Sequence, residues 1–144
     1  MSRRGLHGRI LLFSLALAPV AWASPADEIK APRPEPCVPF VPDPAEDGIS
    51  APRGLDLDEV RTALNGVIQY ALKCGQPEGV KEAHLTFELV VRCDGTVASV
   101  VASDDGKMPA EYVACVAAVI GKADFPGHDM EDGMPATYPV NVTW

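Results

Sequence analysis

Cys37, Cys74, Cys93 and Cys115 are scattered along the chain, and any fold it adopts has to accommodate four sulfurs. No two of them form a C-x-x-C pair, so the spacing supports neither thioredoxin-like redox chemistry nor a zinc knuckle. The amino-terminal residues say where those sulfurs reside. MSRRGLHGR is basic and free of acids, an apolar run follows, and Ala21-Trp22-Ala23 closes it. These are the parts of a secretory signal over residues 1–23, with the cut expected after Ala23. An uncleaved anchor is the rival reading. It needs ~20 apolar residues to cross the hydrocarbon, and Pro19 falls inside the run. All four cysteines lie beyond residue 23, so the chain reads as exported, periplasmic or extracellular, with its cysteines paired as disulfides.

Loss of the signal would remove three arginines and no acid, leaving nine Lys+Arg against twenty Asp+Glu. A surface so negative repels phosphate backbones and anionic lipid, which disfavours nucleic acid and the membrane surface as partners. His84 and His128 are the histidines that remain and are far apart in sequence, so neither a metal nor another cofactor is expected.

Eight of the thirty residues 24–53 are proline and no apolar period runs through them. Residues 24–54 therefore read as an extended, polyproline-like linker, with Cys37, Val38, Phe40 and Val41 pinning part of it to the folded unit. That unit spans 55–144. Asp56 and Glu59 form a capping box, with Leu55 and Val60 as a hydrophobic staple. Val60, Leu64, Val67, Ile68, Ala71 and Leu72 then recur at helical spacing toward Cys74 and the stop at Gly75. AHLTFELVVRC alternates as a strand buried on one face, Asp94-Gly95 makes a hairpin turn, and TVASVVAS returns. Pro109 opens a second helix carrying Tyr112, Cys115, Val116 and Val119 on one stripe, and Phe125-Pro126-Gly127 ends it. In the last strand Tyr138, Val140, Val142 and Trp144 alternate with Thr137, Pro139, Asn141 and Thr143, and Pro139 puts that strand at an edge. The fold class is α+β, a two-layer αββαβ unit with a three-stranded antiparallel sheet and two helices on one face.

This order, behind a Pro-rich segment, resembles the C-terminal domain of TonB. It is more closely similar to the TonB-like C-terminal domains of myxobacterial envelope proteins of the AgmX/PglI type. The residues that carry the resemblance are the helix ending in Cys74, VVRCDGTV, ACVAAV, Phe125-Pro126 and YPVNV. Lys122-Ala123-Asp124 stands where the family has a tryptophan-arginine step, and Val140 where it commonly has phenylalanine. Four cysteines allow three pairings; the arrangement implied by the resemblance favours Cys74–Cys115, with Cys37–Cys93 as the remaining pair.

Catalytic patterns are scarce. Ser99 and Ser103 lack a nucleophile elbow, and the carboxylates Asp104, Asp105, Asp129, Glu131 and Asp132 lack calcium-loop spacing, so no enzyme is expected. The resemblance implies a non-catalytic module that takes a protein or extended peptide of the cell envelope as an added strand at residues 136–143. Thr137, Tyr138, Val140, Asn141 and Trp144 are the candidate contacts, with core packing as the competing role for the aromatics. A structural subunit of an envelope transport, motility or secretion assembly is the alternative, and a secreted disulfide-stabilised inhibitor a further one.

Overall fold

The computed structural model of the chain describes residues 23–42 and 50–144, and apart from Ala23 the expected signal lies outside them. The first helix, α1 (Leu57–Ile68), starts where its cap is written. Asp56 accepts a hydrogen bond from the Glu59 N–H at 2.8 Å, and Glu59 accepts one from the Asp56 N–H at 2.9 Å. Two of the N–H groups that a helix start leaves without partners are thus satisfied. Val60, Leu64 and Val67 turn inward and are buried.

The helix expected to run on to Cys74 changes winding at Gln69. Residues Gln69–Cys74 form a 3-10 helix that Gly75 ends with φ 82°. A 3-10 helix has roughly three residues per turn against about 3.6 in an α-helix. The tighter winding carries Leu72 off the apolar stripe, so it is 58% exposed rather than part of the core.

The sheet contains β1 (Glu82–Val91), β2 (Val97–Asp104) and β3 (Met134–Thr143), in the order β2-β1-β3 and antiparallel throughout. Alternation in the central strand buries Ala83, Leu85, Phe87, Leu89 and Val91 against α1 and α2 (Ala110–Ile120). The opposite face carries Glu82, His84, Thr86, Glu88 and Val90, and among the described residues no helix or strand lies over it. The chain is α+β with both helices on one side of a three-stranded sheet, as expected. Truncating Leu64, which is fully buried, to Ala is expected to cost ~2–5 kcal/mol.

The hairpin turn has three loop residues rather than the expected pair. The Gly95 N–H donates to the Arg92 carbonyl, the Arg92 N–H donates to the Thr96 carbonyl, and Gly95 has φ 80°. The tip is also a docking point. Phe125 donates its N–H to the Gly95 carbonyl and His128 donates to the Cys93 carbonyl, so the Phe-Pro-Gly corner lies on the hairpin while Phe125 plugs the core. A Cβ on Gly95 would sit 1.9 Å from the Phe125 carbonyl oxygen, a space only glycine leaves open.

The described parts of the expected linker are not a free spacer. Residues Pro25–Glu28 form a 3-10 helix whose Ala26 is buried, and Glu28 pairs with Lys73. Further on, Glu35 donates its N–H to the Asp94 carbonyl and Val38 donates to the His128 carbonyl. On the far side of the segment, the N–H groups of Arg53 and Gly54 donate to the Asp129 carboxylate. The contacts join the backbone to distant main-chain and side-chain atoms, which is how a segment without apolar periodicity can still be held.

Both expected disulfides are present. Cys74 and Cys115 join the 3-10 helix to α2 with Cα atoms 5.9 Å apart, and Cys37 joins the N-terminal segment to Cys93 at 4.9 Å. The first bond spans 41 residues of sequence, a loop whose closure removes ~3–4 kcal/mol of freedom from the unfolded chain in the entropy model. Replacing both Cys74 and Cys115 with Ser is expected to lower the melting temperature by at least ~10 °C, followed by calorimetry. An unchanged transition would remove the staple from the account.

Candidate functional site

A sheet covered on one side and containing few strands has two free margins, and the backbone fixes what each can bond. In an antiparallel pair, successive residues point their N–H and C=O alternately toward and away from the neighbour. The Trp144 N–H donates to the Lys81 carbonyl at 3.1 Å, so even-numbered residues of β3 face β1. The odd-numbered residues Pro135, Thr137, Pro139, Asn141 and Thr143 then point outward. This is where a proline costs the ladder nothing, and it accounts for Pro139 in this strand. It also divides the margin. Donors are missing at Pro135 and Pro139, and the only two consecutive outward positions that keep both donor and acceptor are Asn141 and Thr143.

Beside those two residues runs a groove of about 280 Å³ between β3 and the end of the first helical segment. Ile68, Ala71, Leu72, Val140 and Val142 supply apolar walls, and Asn141 and Thr143 form the lip. Leu72 is the residue that sequence reasoning placed elsewhere, because at α-helical spacing it belongs to the core stripe. Only the change to 3-10 winding brings it to this groove, and nothing local in QYALKC announces that change.

The residues expected to bind are spread over three environments. Asn141 is exposed, and its side-chain oxygen lies 2.8 Å from His84 Nδ1 across the bare face. Val140 is only 4% exposed and reaches a partner solely as the groove floor. Trp144 packs edge-on against Tyr112, ring centres 5.5 Å apart, so its role is in packing. Tyr138 is half-buried and also packed on the core, while Thr137 is exposed on the bare face opposite Glu88. The indole N–H of Trp144 and the Tyr112 hydroxyl are buried with no hydrogen-bond partner among the described residues. Burial pushes the Tyr112 phenol above its ordinary pKa.

Ser103, Asp104, Asp105 and Asp129, four of the residues considered for chemistry, have structural bonds. Ser103 donates its hydroxyl to the Thr86 carbonyl. Asp104 accepts from the N–H groups of Gly106 and Met108, closing the loop after β2. The Lys107 ammonium holds Asp105 below the usual carboxylate range, and the Thr96 hydroxyl and N–H do the same for Asp94. Asp129 is held low by the Gly54 N–H first and by that of Arg53 as well. Among the described residues, no group of three His, Cys, Asp or Glu side chains is placed to hold a metal ion. A second cavity, of about 630 Å³, lies away from β3, between Ile29, the exposed side of α1 and Lys122–Pro126.

Compared with protein-family models, curated proteins and solved structures, the chain matches none.

The Asp129 clamp has a defined pH response. Its folded pKa lies below the ordinary 3.8, so its contribution is complete above that value and is lost as pH falls through the folded pKa. Amide hydrogen exchange should find Gly54 protected at neutral pH and through mild acid, and released below ~pH 3.8. Asp129→Asn should weaken that protection at every pH; equal protection in the variant would mean that the carboxylate is not the anchor.

Proposed function

We propose that the protein is a non-catalytic binding module of the cell envelope that takes an extended peptide as an added strand along the outer margin of β3. The observation that carries this reading is the pairing of free backbone groups at Asn141 and Thr143 with the apolar groove of Ile68, Leu72, Val140 and Val142 beside them. Strand addition needs both: main-chain bonds for affinity, and a wall that distinguishes alternate side chains. The TonB-like resemblance, which rests on the order and spacing of five motifs with YPVNV as the last, supports the same margin. Pro139 confines pairing to the carboxyl-terminal part of the strand, so the peptide engages a short stretch and reads the groove through one or two apolar side chains.

Export supports this assignment. Two disulfides suit an oxidising compartment, and among the described residues no helix is long and apolar enough to cross a membrane. Periplasmic or extracellular placement after signal cleavage is part of the proposal. An accessory subunit held out on a spacer is less favoured, because the described N-terminal residues pack on the domain instead of leading away from it.

The test is selection from a displayed library of short linear peptides, followed by affinity measurement on variants. Leu72→Asp alters an exposed wall, and Asn141→Pro deletes an outward N–H while sparing the bonds to β1. Each should weaken a selected peptide at least ~10-fold, about 1.4 kcal/mol, with melting within a few degrees of the parent. Selected peptides indifferent to both changes would place binding elsewhere.

A further inference from the structure

The other margin of the sheet is of a different kind. The Arg92 N–H donates to the Thr96 carbonyl, so even-numbered residues of β1 face β2. In the β1–β2 register, Thr86, Glu88 and Val90 lie opposite Ser103, Val101 and Ser99. Ser99, Val101 and Ser103 therefore point inward along the backbone, and Val100, Ala102 and Asp104 point outward. No proline interrupts this margin, and in a chain of net charge −8 residues 95–103 carry no charge at all. Among the described residues no backbone hydrogen bond crosses it. Proteins ordinarily blunt such an edge with lysine, proline or a bulge. Here an irregularity between Val90 and Val91 disturbs only its first residues, leaving Val100 to Ser103 regular.

The surroundings are equally plain. Cys115 turns one side of α2 toward the 3-10 helix, and the opposite side carries Val113, Ala117 and Gly121 at successive turns. A Cβ on Gly121 would lie 3.7 Å from a Val100 methyl, so this line of small residues lies above the outer strand. On the bare face Val101 is 59% exposed.

We infer that β2 pairs antiparallel with β2 of a second copy of this chain, about a two-fold axis at Val101, joining the two sheets into one. The sequence around Val101 is suited to this register. Val100 then exchanges both backbone bonds with Ala102 of the second copy, and Ala102 with its Val100. Val101 faces its own counterpart at a non-hydrogen-bonded position, where side chains approach most closely. Ser99 meets Ser103 and Asp104 falls opposite Ala98, so no like charges oppose one another across the join. Shifting the register by two residues in one direction would put Asp105 opposite Ser99 and Asp104 opposite Val100. A second copy fits the lack of charge better than a basic partner, which would find no carboxylate between residues 95 and 103. The area is small, so the dimer is weak, with a dissociation constant on the order of 10–100 µM. Because each chain is acidic, added salt tightens it. It leaves the margin of β3 free and does not depend on peptide binding there.

Sedimentation across a concentration series tests the inference on the intact protein. The parent should pass from the mass of one chain to that of two, more readily in high salt. Val101→Lys and Val101→Glu change an exposed side chain, so each should keep its fold while self-association weakens at least ~10-fold. An equimolar mixture of the two variants should dimerise more tightly than either alone, because the opposite charges meet at the axis. A parent that stays single up to ~1 mM, a variant that dimerises as the parent does, or a mixture no tighter than its components would each overturn it. The first of these outcomes would leave the edge to a strand of another protein.

Discussion

One-sided burial of a thin sheet is the constraint on which everything else in this molecule depends. The central strand turns Ala83, Leu85, Phe87, Leu89 and Val91 to a single face, and α1, the 3-10 helix and α2, with Phe125 at one end, cover them. A small core leaves little margin against the entropy of the unfolded chain. The Cys74–Cys115 bond ties the covering layer to itself, and Cys37–Cys93 fastens the N-terminal segment to the hairpin tip. The tip then becomes the meeting point of three stretches distant in sequence: the segment around Glu35 to Val38, the hairpin, and the Phe125-Pro126-Gly127 corner. Glycine at 95 is a consequence of that crowding as much as of the turn.

The same constraint creates the surfaces available for function. A few-stranded sheet that does not close has two margins, and this chain treats them differently. β3 carries proline at two outward positions, which limits pairing to its last residues and couples it to a groove. β2 carries no proline and, before Asp104 at its end, no charge, and offers a short, self-complementary run. The two surfaces are on opposite sides of the molecule in the order β2-β1-β3, so one can be occupied while the other is free.

Much of the fold was legible because local signals and tertiary demands agree. Asp56 and Glu59 cap the helix in the sequence and in the structure, the β1 alternation names its buried face, and Pro139 fits a strand with a free side. The disulfide pairing present is the one that the TonB-like resemblance implied, one of three that four cysteines allow. What the sequence hid was set by distant contacts. The 3-10 winding of Gln69–Cys74 has no residue signature, so Leu72 read as core. In the proline-rich segment the pinning around Cys37 was legible, but the further anchors, Asp129 to Gly54 and Asp94 to Glu35, are hydrogen bonds between residues far apart in the chain. Alternation put Val140 and Trp144 on one face without saying how deeply each is covered, so the 4% exposure of Val140 and the packing of Trp144 on Tyr112 could not be read from it.

Non-reducing peptide mapping of the purified protein by mass spectrometry tests this account most directly. It predicts two linked peptide pairs, Cys37 with Cys93 and Cys74 with Cys115, and no free thiol. Four reduced cysteines, or Cys74 joined to either Cys37 or Cys93, would contradict the placement of the helical layer over a single face of the sheet.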